Sequence, residues 1–198
     1  MIPAKNCLSQ NGVAYYLPNF FSKSEAEDLF QCLQQDVAWQ ADCVRLFGKL
    51  ITTRRKTAWY GDPGMNYVYS GIARQPIPWD QTILGIKHRI ESALPFNFNS
   101  CLMNYYHDGN DGMGWHQDNE KELGGFPCIA SISLGADRFF DFKHIYTHQK
   151  IRLMLQSGSL LLMQGETQKF WKHSLPKSKM IVHPRINLTF RRIVDNLI

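Results

Sequence analysis

From Phe98 to Ile193 the chain breaks into seven short runs of β-forming residues, 98–107, 115–118, 128–135, 138–143, 150–155, 159–164 and 186–193, parted mainly by Gly, Asp and Asn. No other feature of the sequence limits the fold as much. Runs this short, with this punctuation, read as strands that pair antiparallel through tight connections. Two helical patterns come first. SKSEAEDLFQCLQQDVAW opens with a capping box, Ser22 and Glu25, and carries Ala26, Leu29, Phe30, Leu33 and Val37 at helical spacing. WDQTILGIKHRIESAL has Asp80 as its N-cap and a stripe of Ile83, Ile86, Ile90 and Leu94. Helices followed by strands predict a mainly β protein with flanking helices, an α+β chain whose antiparallel double sheet or barrel keeps the helices outside. With 198 residues, 44% of them hydrophobic, there is material for one sizeable core and no comfortable second.

Several classes of protein are excluded by what the sequence lacks. No apolar run approaches the ~20 residues of a membrane span, and the opening MIPAKNCLSQ has no long apolar stretch of a secretory signal, so a soluble intracellular protein with no membrane partner is expected. The cysteines Cys7, Cys32, Cys43, Cys101 and Cys128 are scattered and never in C-x-x-C spacing, which argues for reduced thiols rather than a disulfide framework or a zinc knuckle. The net charge of +5 suits a polyanionic partner without demanding one. Two basic clusters stand out, Lys49, Arg54, Arg55 and Lys56 in GKLITTRRK and Lys172, Lys177 and Lys179 in KHSLPKSK; each alone reads as solvated surface.

In MGWHQDNEKE the histidine and aspartate stand two apart. Successive side chains on a strand alternate faces, so His116 and Asp118 point the same way, as a chelating pair must. One H-x-D pair arises easily by chance, and a third ligand is needed. His173, in FWKHSLP, follows the strand SLLLMQ through a loop containing Gly165, as a ligand on a neighbouring barrel strand would, although alone it is as often structural as ligating. Two histidines and a carboxylate leave three positions open on ferrous iron. His88 in a helix, His107 in a turn, and His144 and His148 about a hairpin read as surface or capping residues.

Period two also sorts two other strands. PRINLTFRR puts Arg185, Asn187, Thr189 and Arg191 on one face and Ile186, Leu188 and Phe190 on the other, while in 98–107 Asn104 and Tyr106 share a face with Leu102, opposite Cys101, Met103 and Tyr105. One polar face is an ordinary solvent face; two, beside an H-x-D strand, predict a polar lining inside a barrel. Arginine's planar fork suits a buried dicarboxylate. Arg185 and Arg191 are roughly 20 Å apart along an extended strand, so they mark opposite ends of a site.

From about Arg45 to Ile193, through LFGK, WYGDPGMNYVYSG, NYYHDG, HQDNE, IASISLGADRFFDF, GSLLLMQ, HSLP and RINLTFR in that order, the chain resembles the AlkB oxidative dealkylases, and within them the duplex-preferring branch. The resemblance implies an Fe(II)- and 2-oxoglutarate-dependent dioxygenase, with O2 as co-substrate and a double-stranded β-helix (jelly-roll) core. A single domain over 1–198 is expected, residues 1–95 supplying helices and a nucleotide-recognition region and 96–195 the core. It further implies that His116, Asp118 and His173 bind the iron and act as the catalytic centre, and that Asn104, Tyr106, Arg185, Asn187, Thr189 and Arg191 surround 2-oxoglutarate, Arg185 on its distal carboxylate. The substrate pocket maps onto Tyr67, Tyr69, Ser70, Asn119 and Glu120, with Tyr69 and His116 about a flipped base. The implied activity is repair demethylation of 1-methyladenine and 3-methylcytosine in DNA, as a monomer, with release of formaldehyde. Asn119, where an acidic residue is familiar, and Tyr69, where phenylalanine is, depart from the branch and bear on lesion preference. Alkylated RNA or another methylated molecule is the alternative substrate, and a catalytically silent nucleic-acid-binding module the alternative class; the latter's mark would be a broken triad or a lost arginine.

RLFGKLITTRR suggests a hairpin whose tip presents Phe47 and Gly48 to the substrate, with Lys49, also a substrate-binding residue, joining Arg54 and Arg55 to meet phosphates. The resemblance makes Phe47 a wedge that fills the gap left by a flipped base. The competing expectation is a strand whose Phe47 is simply core.

Overall fold

The computed structural model describes residues 5–46, 49–65, 67–69 and 72–194. Strands from the first half are β1 (Val13–Leu17), β2 (Gln40–Leu46), β3 (Lys49–Gly61), β4 (Tyr67–Tyr69) and β5 (Ile72–Arg74). The second half supplies β6 (Ser100–Tyr106), β7 (Met113–His116), β8 (Ile129–Gly135), β9 (Arg138–His144), β10 (Lys150–Leu155), β11 (Ser159–Gln164), β12 (Trp171–Leu175) and β13 (Arg185–Arg191). Helices are α1 (Lys23–Asp36), α2 (Gln81–Ala93) and the single turn α3 (Thr167–Phe170). A seven-stranded sheet, β1-β11-β8-β13-β6-β3-β2, faces a four-stranded one, β10-β9-β12-β7, and β4 and β5 make a separate pair. The named strand pairs are antiparallel throughout. This is a jelly roll with helices on its larger sheet.

Both expected helices form for the expected reasons. Ser22 Oγ accepts from the Glu25 N–H at 3.3 Å while Glu25 accepts from the Ser22 N–H at 2.7 Å, closing the capping box. Asp80 caps α2 by accepting from the Ile83 N–H at 2.8 Å. Phe30, Leu33, Ile83, Ile86 and Ile90 are buried with Cys101, Met103, Ile186, Leu188 and Phe190, so the helices cover the outward residues of β6 and β13. Leu102, Asn104 and Tyr106, with Arg185, Asn187, Thr189 and Arg191, therefore face the space between the sheets. Cross-strand register matches the two sets, Tyr106 opposite Arg185, Asn104 opposite Asn187 and Leu102 opposite Thr189. At the end of β8, Gly135 has φ of 84°, and a side chain there would meet Pro184 O at 2.5 Å and the Phe30 ring at 2.7 Å.

All seven runs after Phe98 are strands, with ends shifted by a few residues. The shift that matters is at the metal pair, where β7 stops at His116 and leaves Asp118 beyond the sheet. The seven-stranded sheet also takes three strands, β1, β2 and β3, from the first 61 residues, before the boundary at which the sequence reading began the core. β1 pairs with β11, about 150 residues away, and no local pattern announces such a partner. β2 and β3 do form a hairpin, paired as far as Leu46 opposite Lys49.

The capping box makes a testable statement about acid. The Ser22 hydroxyl, the Ser22 N–H and Arg89 lower the Glu25 carboxyl to about 2 from an ordinary 4.5. A carboxyl lowered on folding adds stability that is present above its unfolded value and is lost as pH falls through the folded one. Thermal melts of a Glu25→Gln variant should lie below wild type at pH 7, and the gap should close between pH 4.5 and about 2.

Candidate active site

Between the inner faces of the two sheets lies a cavity of about 310 Å³, lined on one side by β6 and β13 and on the other by β7, Phe140 of β9, and β12. β12 pairs with β7 so that His173 stands directly opposite His116, the ring centroids 4.2 Å apart. Asp118 completes the group. Its Oδ1 lies 3.9 Å from His116 Nε2 and its Oδ2 3.9 Å from His173 Nε2, and the three potential ligand atoms are all within 4.8 Å of one another. His173 and Asp118 are buried, whereas His116, at the mouth, keeps 35% of its side chain exposed.

Protonation suits metal binding at each of these positions where a shift is resolved. Burial pushes the Asp118 carboxyl up, but Arg191, 3.0 Å from Oδ2, together with His173 and His116 overcomes this and holds it at about 2. Burial, helped by His116 and Arg191 and opposed by Asp118, lowers His173 to about 3. Asp118 is thus ionised and His173 neutral near pH 7, the states in which they ligate. His116 Nδ1 lies 2.8 Å from Gly114 O, a carbonyl that can only accept, so Nδ1 carries a proton and Nε2 is the ring nitrogen that faces Asp118. One carboxylate and two imidazole nitrogens on one side of the cavity are the donor set of a ferrous facial triad.

The far end of the cavity is cationic. Arg185 is buried and donates to Ser133 Oγ at 2.8 Å; its guanidinium stands 5.4 Å from the centre of the Tyr106 ring, and its Nε has no hydrogen-bond partner. Among the described residues no carboxylate comes within ion-pair range of it. Burial lowers its pKa to about 10, which leaves it charged at neutral pH. Asn104 Oδ1 is also buried without a partner among the described residues. Asn187 donates to Ser131 Oγ at 2.8 Å and Ile132 O at 2.9 Å, and Thr189 Oγ1 to Asn187 Oδ1 at 3.2 Å. A cation without its counter-charge at one end and Arg191 beside the metal cluster at the other fit a dicarboxylate such as 2-oxoglutarate.

Other expected residues are spread differently. Glu120 lines the mouth with Oε2 buried and unpartnered among the described residues, while Asn119 is exposed and outside the lining. Tyr67 and Tyr69 lie on β4. Their side chains and that of Lys49, with Phe47, Gly48 and Ser70 altogether, fall outside the described residues. The expectation that Arg55 meets phosphates is overturned, while Arg54 keeps 57% of its side chain exposed. Arg55 is buried against Asp42, with Nη1 3.1 Å from Met113 Sδ, and Arg54 is held by Asp108 at 3.1 Å and lies 3.9 Å from Asp111. Arg55 takes its acidic neighbour from the partner strand of its own hairpin, Arg54 from a loop 54 residues away.

Three parts of the site escaped the sequence reading. Ser131 and Ser133 in IASISLG carry the same period-two signal as the arginine strand. Phe140 stacks on His173, centroids 5.4 Å apart and planes 24° apart. Gln168 gave no signal at all, yet it is buried, its Oε1 accepts from the Asp118 N–H at 2.9 Å and its carbonyl accepts from Gln117 Nε2 at 2.7 Å. It does for Asp118 what a strand ladder would have done had β7 continued.

Residues 13–191 match the 2OG-Fe(II) oxygenase superfamily. The chain belongs to that family, whose cofactors are iron(II) and 2-oxoglutarate. Among its relatives, the human protein named DNA oxidative demethylase ALKBH2 is 40% identical over 185 residues, covering 88% of this chain and 71% of that protein. The bovine protein of the same name is also 40% identical, with 66% of its length spanned. Mouse alpha-ketoglutarate-dependent dioxygenase alkB homolog 3 is 37% identical over 198 residues, 94% of this chain and 68% of that protein. The chain thus spans about two thirds of the length of these relatives. The solved structure titled "The structure of OsALKBH1" superposes with a TM-score of 0.61 over 90% of this chain and 97% of that one at 19% identity, a likeness of fold alone.

The geometry separates ligands from supports by metal titration. Asp118→Ala should abolish binding of Co(II) followed by its visible absorption. Gln168→Met keeps the volume but removes the acceptor, and should weaken binding about tenfold, as loss of an outer support does elsewhere, with little change in the melting temperature of the metal-free protein. Equal metal affinity in Gln168→Met and wild type would make Gln168 a packing residue only.

Proposed function

We propose that this chain is a DNA repair oxidative demethylase, removing N-alkyl lesions such as 1-methyladenine and 3-methylcytosine. One observation carries the reading: a Glu120 carboxylate oxygen with no partner among the described residues stands at the mouth of the cavity that ends in the His116, Asp118 and His173 cluster. Bases methylated at these nitrogens are cationic near neutral pH, so a buried carboxylate and aromatic faces prefer them to the uncharged normal base. Methylation also blocks the pairing edge and lowers the cost of drawing the base from its stack. The names and the 37–40% identity of the relatives support the same substrate.

His116, Asp118 and His173 would hold the iron, and Arg185, with Asn104, Tyr106, Asn187, Thr189 and Arg191 about it, the 2-oxoglutarate. When bound with dioxygen, these supply the oxidation of the N-methyl group, which then leaves as formaldehyde. The protein's own work is placement. Arg185 fixes the distal carboxylate with its fork and Arg191 holds Asp118 ionised. Phe140, Leu102 and Leu175 give the cavity apolar walls that limit water. Tyr67, Tyr69, Ser70, Asn119 and Glu120 receive the flipped base. The β2–β3 hairpin brings the LFGK stretch, with Phe47 as the wedge that makes duplex DNA the better substrate. Such a substrate puts the enzyme, acting as a monomer, with the genome: in the cytoplasm of a bacterium or the nucleus of a eukaryote.

Incubation with iron(II), ascorbate and 2-oxoglutarate on methylated single-stranded and duplex oligonucleotides tests the reading; absence of formaldehyde and of repaired base from both would sink it. Within that assay Arg185→Lys should raise the 2-oxoglutarate requirement severalfold and leave oligonucleotide binding as it was, because an ammonium cannot reproduce the bidentate fork. Phe47→Ala should lower activity severalfold on duplex and spare single strands, since only the duplex has a gap to fill at a cost of a few kcal/mol per unstacked step. A matched loss on both substrates would make Phe47 a core residue.

A further inference from the structure

The apolar stripes of α1 and α2 are spent on the larger sheet, and the outer face of β10-β9-β12-β7 is left to solvent: Trp115, Phe139 and Met154 on it are 42%, 44% and 39% exposed. Alternation fixes what else this face carries. Ile151, Phe142 and His173 turn inward, so Lys150, Lys143 and Lys172 turn outward. Register places Lys150 opposite Lys143 and Lys143 opposite Lys172. Like charges directly opposite one another destabilise a sheet. Here three form one row across neighbouring strands, and among the described residues none has a carboxylate in ion-pair range. The acidic residue of the next row, Asp141, is already taken by Arg152 through bonds of 2.6 and 2.7 Å. The row therefore presents its whole charge outward. Its inner end, Lys172, is next in sequence to His173, and the adjoining strand β7 adds Trp115 one residue before His116.

We propose that this face carries the phosphate backbone of the nucleic-acid strand whose alkylated base enters the cavity, with Lys172, Lys143 and Lys150 as successive phosphate contacts and the Trp115 ring as a platform for an unpaired base. The inference rests on the nucleic-acid substrate proposed above. Three lysines at the spacing of neighbouring strands span about 10 Å, against about 7 Å for three successive phosphates at the duplex rise, so the row suits a strand drawn out beyond duplex geometry. A phosphate track supplies the missing counter-charge, and an aromatic beside it is the usual composition of a single-strand surface. A protein partner would use the apolar residues and leave the lysine row unexplained.

The test compares wild type, the triple variant Lys143→Gln/Lys150→Gln/Lys172→Gln and a control of equal charge change, Lys5→Gln/Lys23→Gln/Lys169→Gln. Binding of a labelled, unmodified single-stranded 20-mer is followed by anisotropy over a salt series, and demethylation is measured on a methylated 20-mer and a methylated trinucleotide. Each lost phosphate contact lowers the salt slope by about 0.7, so the triple variant should show a slope shallower by about 2 and binding at least tenfold weaker at low salt. It should keep trinucleotide turnover and its melting temperature, and lose the advantage of the 20-mer, while the control behaves as wild type. A slope and length dependence equal to wild type's would overturn the assignment, as would an equal loss of turnover on trinucleotide and 20-mer. If wild type neither binds nor demethylates any oligonucleotide, it is the substrate reading that fails, and the track with it.

Discussion

Asp118 is a carboxylate that the fold buries and yet keeps charged, and the arrangement of the cavity follows from how this is done. An isolated buried carboxylate would take up a proton. Arg191, 3.0 Å away at the end of β13, prevents it, and the neutral His173 beside it adds a nitrogen donor for a cation. This requires β13 to lie in the larger sheet, β7 and β12 in the smaller, and the two to face each other across a gap that keeps water scarce. The long apolar faces of both sheets are what hold that separation. On the outer side Ile186, Leu188 and Phe190 pack under the helices, and on the smaller sheet Phe142 and Trp171 pack with Leu161.

Much of this was legible because strands have a period of two. The polar face of RINLTFR and the Leu102, Asn104 and Tyr106 face of its neighbour could be written down from the sequence, and the structure sets them side by side, in register, on one face of the larger sheet. The helix caps at Ser22 and Asp80 were equally plain, being local chemistry. His173 was a weaker inference, since WKHSL is a short strand whose partners come from elsewhere.

What the sequence withheld depends on distance along the chain. Arg55 sits in a basic run that reads as phosphate-binding, and only the folded hairpin sets it against Asp42. Gln168 stands in GETQKF, indistinguishable from a loop residue until the chain returns and hands it the Asp118 N–H. β1 is a strand only because β11 exists. Each of these is a tertiary contact that overrides a local expectation, and each lies next to the cavity or closes the sheet around it.

The position of β13 within the larger sheet bears on how the chain is made. Among the described strands it is the last in sequence but a central one in space, seated between β8 and β6. Until residues 185–191 leave the ribosome, β1-β11-β8 and β6-β3-β2 have no strand to join them, and their inner edges stay open to mispairing. The same strand brings Arg185 and Arg191, so closure of the sheet and completion of the pocket are a single event. Its many long-range pairings make the chain a slow folder.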